Sequence, residues 1–519
     1  MPSALNVKGW GHCGKRDAVV CLRIASAMYV RSLVHGCAAP HFGPMASKPT
    51  GSPRAADGNR SEVDLRRRTV GYEARLGTFS GTMLVVGGII GAGIFLSPAV
   101  VAQRVGSASL TLGAWGLGAV VAIIGGFIYA ELGARRPLAG GTYIYLRDAF
   151  GPLPAFLYGW SLFLVIATGA IAAVAMTGAS YLATLLSLDA SMVRPLAIGL
   201  IALLTMLNIL GVRIGATTGN VLTLLKLGAI AVLVFAALLL SPSHALPVSS
   251  AAALPPAVPT GSMAIVLAMG AALVPVLFSY GGWQQTNAVA EELIDPARTL
   301  PRALILGVMV VVATYMLVNL AYLRALGVAG LAASQAPAAD AMFVYLGAPG
   351  RTLITFGIVT STVGFLGMVI LMSARVYHAM AADGLFFRRM AELHPRTRTP
   401  IAALLGQGFV ALALLLTGTY GQLLDYVVFA DWIFFGATAA SLFVLRARDA
   451  RLGIHPVVRV PLHPWSTMMF IAAALYVVLG SIRSNPVNAL YGSGLIALGV
   501  PVFLYWRSKN HSTSSTSNA

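Results

Sequence analysis

The sequence predicts an all-α polytopic membrane protein, and three observations support this. The chain is 57% hydrophobic and 10% charged, with a mean hydropathy of +0.81, a composition typical of multipass membrane proteins. Twelve apolar runs meet or approach the roughly 20 residues that a helix needs to cross a bilayer. Two of these runs are interrupted in their middle by glycine-rich segments.

The twelve candidate spans follow one another from residue 78 to residue 506. They are Thr78–Ala102, Ser109–Leu132, Phe156–Leu186, Val193–Val212, Asn220–Leu240, Met263–Ala290, Arg302–Leu326, Thr352–Met380, Ile401–Thr417, Leu423–Leu445, Pro464–Ile482 and Pro486–Trp506.

The net charge of +18 first suggests a nucleic-acid partner, but the basic residues lie in alternate loops rather than on one surface. Basic residues lie before span 1, between spans 2 and 3 and spans 6 and 7, and after spans 8, 10 and 12, whereas the loops on the opposite side hold few. By the positive-inside rule, this pattern predicts that both termini are cytoplasmic. The protein is expected in the plasma membrane.

The ends of the chain are predicted to be tails. Residues 1–75 are polar and read as a disordered cytoplasmic segment, and 508–519 form a shorter one. Residues 1–44 differ in composition from all that follows, which suggests a misassigned start, although an Arg-rich beginning also resembles a transit peptide. All three cysteines, Cys13, Cys21 and Cys37, fall in this part, so no disulfide is expected within the membrane region.

The two interruptions occupy equivalent places in the chain, in span 1 and span 6. A second set of five helices starts on the opposite side of the membrane, because five is odd. This arrangement predicts an inverted repeat of 76–240 and 263–446 with the substrate between the discontinuous helices. The repeats lie in a transporter core, 76–460, which spans 11 and 12 (461–507) follow.

Unwound backbone at mid-membrane depth is tolerated only in a protein interior or beside a cavity. A break near Gly91 frees the amides of Ala92 and Gly93 at a helix N-terminus, which suits a carboxylate. A break near Gly281 frees the carbonyls of Phe278, Ser279 and Gly281, which suit an ammonium group. Together they predict a receptor for an α-amino acid; the alternative is that the glycines only permit close helix packing.

Four ordered motifs carry a family resemblance. They are GGIIGAGIF (87–95), the ELG (131–133) that precedes Pro137, Gly140, Gly141, Tyr143, Tyr145 and Leu146, FSYGGW (278–283), and EELIDPARTLPR (291–302). Over about residues 76–507 the chain resembles the amino acid–polyamine–organocation superfamily, particularly its L-type and bacterial amino acid permease branch. The resemblance implies twelve helices in a five-plus-five inverted repeat.

The resemblance also implies roles for individual residues. The Ala92 and Gly93 amides would bind the substrate carboxylate, and the carbonyls of Ile89, Phe278 and Gly281 would bind its amine, with the Phe278 ring as a gate. Ser279 and Gly282 would shape the side-chain pocket. From the sequence itself, Gly91 at the first break and Trp283 directly after the second are further candidate site residues, with a packing or interface role as the alternative for Trp283.

Two departures from the family bear on specificity and on partners. Gln284 stands where some relatives have Asn. The L-type branch pairs with a glycoprotein through an external cysteine between spans 3 and 4, and this chain has none there. A permease without a disulfide-linked heavy chain is therefore predicted.

Lys226 is the only lysine within a predicted span. An ionisable group at this depth is costly and suggests a function. Two interpretations stay open: a proton-coupling group, or a fixed cation bonded to the unwound carbonyls of span 1.

Other charges receive simpler predictions. Glu291, Glu292, Arg298 and Arg302 are expected to form a solvated ion-pair cluster, with an inward gate as the alternative. Arg375 is expected to reach the cytoplasmic surface along its flexible side chain. Asp425 and Asp431 are either gate residues or hydrated groups near the interface.

These features predict a secondary transporter of amino acids, not an enzyme, with no cofactor or metal. Repeated polar rings typical of a channel and recognisable catalytic motifs are missing from the sequence. No acidic residue adjoins either break, which favours neutral L-amino acids over cationic amino acids or polyamines. Proton symport and exchange both remain open.

Overall fold

A computed structural model describes residues 72–244, 258–417, 420–454, 456–484 and 486–516. The predicted N-terminal tail up to residue 71, the three cysteines and residues 245–257 lie outside the described residues. The regular elements of the described part are helices. Apart from these there is one isolated β-bridge, between Leu76 and Leu293.

Fifteen α-helices make up the described chain. They are α1 (Thr78–Ile89), α2 (Gly93–Val105), α3 (Ala108–Arg135), α4 (Thr142–Phe150), α5 (Pro152–Ser161), α6 (Ala167–Leu185), α7 (Val193–Ile209), α8 (Val212–Leu239), α9 (Ser262–Tyr280), α10 (Pro296–Ala333), α11 (Pro337–Ala382), α12 (Ile401–Thr417), α13 (Tyr420–Arg451), α14 (Trp465–Ser484) and α15 (Pro486–Thr516). A π-helical turn, Leu162–Ile166, joins α5 to α6, and 3-10 turns occupy Ala190–Met192, Trp283–Glu292 and Arg388–Ala391.

Ten helical segments of the described chain are long and apolar enough to cross a membrane. The pair α1 and α2, bent by 42° at a short break, makes up to eleven, and α12 is a shorter apolar helix. The protein is therefore a multipass membrane protein.

The first break separates α1 from α2. Ile90 leaves the helical region (φ −76°, ψ 91°), and α2 begins at Gly93. A tight hydrogen bond from the Gly91 N–H to the Ile89 carbonyl, 2.9 Å, turns the chain between the two helices. The predicted interruption of span 1 is confirmed at this position.

The second break ends α9 at Tyr280. Gly281 is extended (φ −65°, ψ 163°), and Gly282 takes φ +114°, a conformation that favours glycine. The chain continues as the 3-10 segment Trp283–Glu292 and then as α10, which begins at Pro296. The α-helix of predicted span 6 therefore ends at this break, and the span continues as a 3-10 helix.

The two breaks lie against each other. A Cβ on Gly282 would overlap the Gly88 carbonyl oxygen, and one on Gly93 would lie 2.7 Å from the Ser279 Oγ. Helices α3, α8, α10 and α11 pack around this pair. The glycines thus allow close packing as well as bending, which combines the two readings of the sequence.

One end of the bundle carries most of the ion pairs described, and we call it the arginine-rich end. It holds the pairs made by Arg135, Arg136, Arg147, Arg375 and Arg446. The chain enters α1 and α14 from this end, so the last residues of α2 and α14 lie at the opposite end.

Candidate functional site

The breaks open onto a cavity of about 870 Å³, within the range typical of small-molecule sites. Eight of the predicted site residues line it: Ile89, Gly91, Ala92, Gly93, Phe278, Ser279, Gly281 and Gly282. The cavity extends to Arg104 and Arg483 at the end of the bundle opposite the arginine-rich end.

The first break supplies hydrogen-bond donors. Among the described residues, the N–H groups of Ala92 and Gly93 have no acceptor, because the first turn of a helix has no preceding carbonyls to bond to. Both residues line the cavity, and the N-terminal end of α2 carries a partial positive charge. This arrangement can bind a carboxylate.

The second break supplies carbonyl acceptors, which differ in how much hydrogen-bonding capacity they have left. The Phe278 carbonyl already accepts the Gly281 N–H at 3.1 Å, which leaves one lone pair. The Gly281 carbonyl has no donor among the described residues. Ile89, by contrast, accepts from the Gly91 N–H and from the Tyr315 hydroxyl at 3.3 Å. Gly281 and Phe278 therefore retain more capacity for an ammonium group than Ile89 does.

Tyr315 of α10 joins the two breaks and was missed by the sequence reasoning. Its hydroxyl lies 3.3 Å from the Ile89 carbonyl oxygen and 3.0 Å from that of Ser279. Tyr315 is fully buried. Tyrosines are common in membrane helices, chiefly at the interfaces, so nothing in its local sequence marks this contact.

Ser279 faces α2 as well as the cavity. Its hydroxyl donates to the Pro275 carbonyl at 2.8 Å and lies 2.9 Å from the Ser97 hydroxyl. The side chain therefore ties α9 to α2, one turn beyond the first break.

Lys226 of α8 is fully buried and bonded to the first break. Its ammonium donates to the Gly87 carbonyl at 3.1 Å and to the Ile90 carbonyl at 2.6 Å. The Ser361 hydroxyl of α11 adds contacts of 3.2 Å to the Ile90 and Gly91 carbonyls. Lys226 does not line the cavity; it satisfies carbonyls that the missing helical turn leaves free.

Trp283 does not line the cavity, although it was predicted with the site residues. It is fully buried, and its ring stacks on Phe435 of α13 at a centroid distance of 5.8 Å. The backbone turn at Gly282 directs this side chain away from the break. Gln284, the other residue in question after the break, lines the cavity but accepts the Gly282 N–H at 3.0 Å.

The rest of the wall is mainly apolar, with a few polar groups. Ile166 and Ala170 come from the segment that includes α6, and Phe365 and Met372 come from α11. The sequence analysis named no pocket residue in these two segments. The polar part of the wall includes Tyr158, Gln285 and Asp431.

The predictions of a solvated cluster around Glu292 and of a surface-reaching Arg375 were wrong. Both side chains are buried, and the Arg375 Nε donates to the Glu292 Oε1 at 2.8 Å. Arg375 lies two turns inside the end of α11, and residues 72–76 pass over the pair, with the Tyr72 ring 5.7 Å from the guanidinium. Both groups are therefore shielded from solvent, whereas the sequence analysis had placed them at the solvated surface.

The other members of the predicted cluster lie apart. Arg298 and Asp295 are exposed and 3.8 Å apart, whereas Glu291 accepts the Ala139 N–H at 3.2 Å. The second and fourth motifs therefore contact each other, and a hydrogen bond of 3.0 Å from the Gly140 N–H to the Ala288 carbonyl also ties the second motif to the 3-10 segment.

Residues 75–76 are held against the 3-10 segment. The N–H groups of Arg75 and Leu76 each donate to the Glu292 carbonyl at 2.9 Å, and the Ile294 N–H donates to the Leu76 carbonyl at 2.9 Å. Leu76 and Leu293 are buried. This backbone contact lies at the arginine-rich end, and its residues do not line the cavity.

Asp383 is a further link at this end. It accepts from the Tyr143 hydroxyl at 2.9 Å and from the Arg147 Nη1 at 2.7 Å. Burial lowers the pKa of Arg147, but its hydrogen bond and attraction to Asp383 outweigh this, so the pKa is raised. Burial and the Asp383 charge raise the pKa of Tyr143 well above its usual range. Arg147 thus stays charged and Tyr143 stays a neutral donor.

Glu131 was predicted only as part of a motif, yet it is the centre of a charge cluster. It is buried and accepts from Arg135 at 2.7 Å, from the Arg446 Nε at 2.8 Å and from the Val460 N–H at 2.7 Å. Arg135 also donates to Asp449 at 2.6 Å. One carboxylate therefore joins α3 to α13 and to the chain that precedes α14.

A helical multipass protein in which two broken helices line one internal cavity has the features of a membrane transporter. The chain belongs to the amino acid permease family, whose sequence model matches residues 76–518. This confirms the resemblance to the amino acid–polyamine–organocation superfamily.

Individual relatives agree with this family. The chain is 31% identical to the large neutral amino acids transporter small subunit 2 of Mus musculus over 456 residues, 85% of this chain and 83% of the relative. It is 28% identical to the b(0,+)-type amino acid transporter 1 of the same species over 440 residues, 83% and 88% of the two chains. The family consists of permeases, which are not enzymes.

Proposed function

We propose that this protein is a secondary transporter that carries α-amino acids, chiefly neutral L-amino acids, across the plasma membrane by alternating access. Twelve spans would form a five-plus-five inverted repeat of 76–240 and 263–446 within the core 76–460, with 461–507 outside it. The contact between the breaks of span 1 and span 6 supports this arrangement.

One observation carries the proposal: N–H groups without acceptors and carbonyls with free lone pairs face the same cavity from two broken helices. The Ala92 and Gly93 amides suit an α-carboxylate, and the Gly281 and Phe278 carbonyls suit an α-ammonium. The amides and the carbonyls lie on either side of the backbone contact between Gly88 and Gly282, so one zwitterion can bind both sets. The mainly apolar wall then receives the side chain.

The extent of the cavity supports an outward-facing state of the transporter. It reaches Arg104 and Arg483 at one end, whereas the buried Glu292–Arg375 pair and residues 75–76 lie at the other end of the bundle. If the arginine-rich end is cytoplasmic, as the positive-inside rule predicts, substrate enters from outside. Transport to the cytoplasm then requires the contacts of residues 75–76 and of Glu292 to open.

The hydrogen bonds of Lys226 support the fixed-cation interpretation. Its ammonium bonds two carbonyls of the first break and lies outside the cavity. We propose that it holds the break in shape during exchange as well as during symport, rather than carrying the coupled proton.

The experiment that tests the proposed function is uptake into proteoliposomes of the purified protein alone. The panel comprises labelled leucine, alanine, arginine, glutamate and putrescine, with and without an inward proton gradient and with unlabelled amino acid inside. Saturable uptake of a neutral amino acid supports the proposal, including activity without a disulfide-linked partner. Uptake only into preloaded vesicles identifies an exchanger, and accumulation driven by the gradient identifies a symporter. Putrescine uptake without amino acid uptake would contradict the proposal.

A further inference from the structure

The π turn between α5 and α6, Leu162–Ile166, forms part of the cavity wall, because Leu162 and Ile166 both line the cavity. In this turn the Ala167 N–H donates to the Leu162 carbonyl, five residues earlier. A π turn inserts one residue into an α-helix and is frequent at functional sites. It therefore changes which of the residues that follow it face the cavity.

The inserted residue brings both ends of the α5–α6 segment against α11. A Cβ on Gly159 would lie 2.7 Å from the Met380 Sδ, and one on Gly178 would lie 2.8 Å from the Thr362 Oγ1. Gly178 follows Gly159 by nineteen residues, which in a regular helix places them about 100° apart. One inserted residue removes this difference of about 100°, so both glycines face α11. The order of the two contacts shows that α11 runs antiparallel to this segment.

Contacts with α11 also place α6 at the level of the first break. A Cβ on Gly91 would lie 3.2 Å from the ring of Phe365 in α11. Thr362, about one turn before Phe365, meets Gly178 of α6. Since the helices are antiparallel, the residues one or two turns before Gly178 lie beside Phe365. Those that line the cavity there are Ala170, Ala173 and Val174.

The register of α6 sets the width of the cavity at this level. Ala170 and Val174 face the cavity, whereas a Cβ on Gly169 would lie 3.1 Å from Val427 of α13. Without the inserted residue, each place on the wall would be taken by the preceding residue. Gly169 would then stand in the place of Ala170. Ala173 would stand in the place of Val174, so the wall beside the first break would be less bulky.

Two hydroxyl groups hold the π turn. The Tyr377 hydroxyl of α11 donates to the Leu162 carbonyl at 3.2 Å, and its ring packs edge-on against Phe163 at a centroid distance of 5.0 Å. The Thr168 hydroxyl donates to the Phe163 carbonyl at 3.0 Å, five residues back rather than the four usual for threonine in an α-helix. Tyr377 and Thr168 are fully buried. Both hydrogen bonds therefore belong to the widened turn.

We propose that Tyr377 is a positioning residue for substrate selection. By holding the π turn it keeps Ala170 and Val174 on the wall beside the first break, and so limits the size of the substrate side chain. Tyr377 does not line the cavity, so it acts through the register of α6. This inference rests on the proposed function, because a substrate side chain meets this wall only when its carboxylate and ammonium are held at the breaks.

The test measures KM and kcat for labelled alanine, leucine and phenylalanine with the full chain in proteoliposomes. Tyr377→Phe keeps the ring on Phe163 and removes the hydrogen bond to Leu162, whose net contribution corresponds to a factor of about 2 to 10. We expect the phenylalanine-to-alanine ratio of kcat/KM to rise by about that factor, because α6 is no longer held in the narrower register. Thr168→Val removes the second bond and should shift the ratio in the same direction.

Two further variants serve as controls. Tyr145→Phe removes a buried hydroxyl bond of 2.8 Å to Asn287, away from the cavity, and should leave the ratio unchanged. Ala170→Val places a larger side chain on the wall and should lower the ratio. Gly169→Ala, which faces Val427 instead, should lower the melting temperature without lowering the ratio.

Several outcomes overturn the inference while the proposed function stands. They are a ratio that stays the same or falls in both Tyr377→Phe and Thr168→Val, an equal loss of all three substrates, or a ratio that Ala170→Val does not lower. Absence of amino acid uptake by the unmodified protein would instead contradict the proposed function. Thermal stabilisation of the detergent-solubilised variants by phenylalanine and by alanine gives the same comparison if reconstitution of a variant fails.

Discussion

Gly282 shows how a single residue fixes the contact between the breaks. Its φ of +114° is rarely adopted by other residues, and a Cβ there would overlap the Gly88 carbonyl oxygen. Both requirements exclude every side chain at this position, since relieving one does not relieve the other. The packing of the two broken helices therefore requires this glycine, independently of any role in substrate binding.

We expect Gly282→Ala to lower the yield of folded protein severely, because the strained φ and the overlap with Gly88 must both be accommodated. The measurement is the monodisperse fraction and melting temperature of a fluorescent fusion. Gly116→Ala is the matched control, because a Cβ at Gly116 of α3 meets open space; it should fold normally. A normal melting temperature for Gly282→Ala would contradict the described contact.

Lys226 gives a second prediction for a single residue. Lys226→Met leaves the Gly87 carbonyl without its donor and the Ile90 carbonyl with the Ser361 hydroxyl alone, and an unsatisfied buried group costs about 1–3 kcal/mol. We expect a lower melting temperature and loss of both exchange and gradient-driven uptake. Lys226→Arg, which keeps charge and donors in a larger side chain, should retain more stability. Exchange that survives in Lys226→Met, with only gradient-driven uptake lost, would identify Lys226 as a coupling group instead.

At the scale of elements, the 3-10 segment after the second break is attached to α11 by the buried Glu292–Arg375 pair. Removing one partner of such a pair leaves an uncompensated charge, whereas removing both does not. The pair therefore connects a discontinuous helix to its neighbour at the arginine-rich end.

We expect Arg375→Met and Glu292→Gln to destabilise the protein unequally. Arg375→Met should cost about 3–5 kcal/mol, because it strands a buried carboxylate. The double variant should recover a large part of that loss, which a double-mutant cycle of thermal unfolding would measure. Arg298→Met, in an exposed pair with Asp295, should change stability little. Additive effects of the two buried substitutions would rule out a direct interaction.

The sequence predicted the positions of the two breaks better than the contacts that each segment makes with distant parts of the chain. Gly91 and the Gly281-Gly282 pair marked both breaks, because glycine at mid-span has a local physical meaning. The 3-10 form of residues 283–292, the Tyr315 bridge and the Glu292–Arg375 pair depend on contacts between distant parts of the chain, which a single sequence does not reveal. Asp431 was noticed, but its orientation towards the cavity follows only from how α13 packs.

On the scale of the whole molecule, the arginine-rich end and the opposite end are unlike each other. The first carries ion pairs of α3, α4 and α13 and the pairing of Leu76 with Leu293, whereas the cavity extends towards the second. Alternating access requires this asymmetry to reverse during each cycle.

A disulfide across the Leu76–Leu293 bridge tests that requirement. In a background with Cys13, Cys21 and Cys37 changed to Ser, we expect Leu76→Cys/Leu293→Cys to lose transport when oxidised and regain it with a reductant, since bridged residues are close enough to link. Substrate binding should persist in the oxidised form. The single-cysteine variants are controls and should not respond to oxidation. Full transport by the cross-linked protein would show that this end need not open.

The contact of Gly282 with Gly88 has a mechanical consequence. Two hinges that touch through backbone atoms cannot turn independently, since a rotation of one displaces the other without any side chain to absorb the movement. The pair therefore behaves as one joint shared by two helices. Under the proposed mechanism, a substrate that binds at either helix end would act on both broken helices at once.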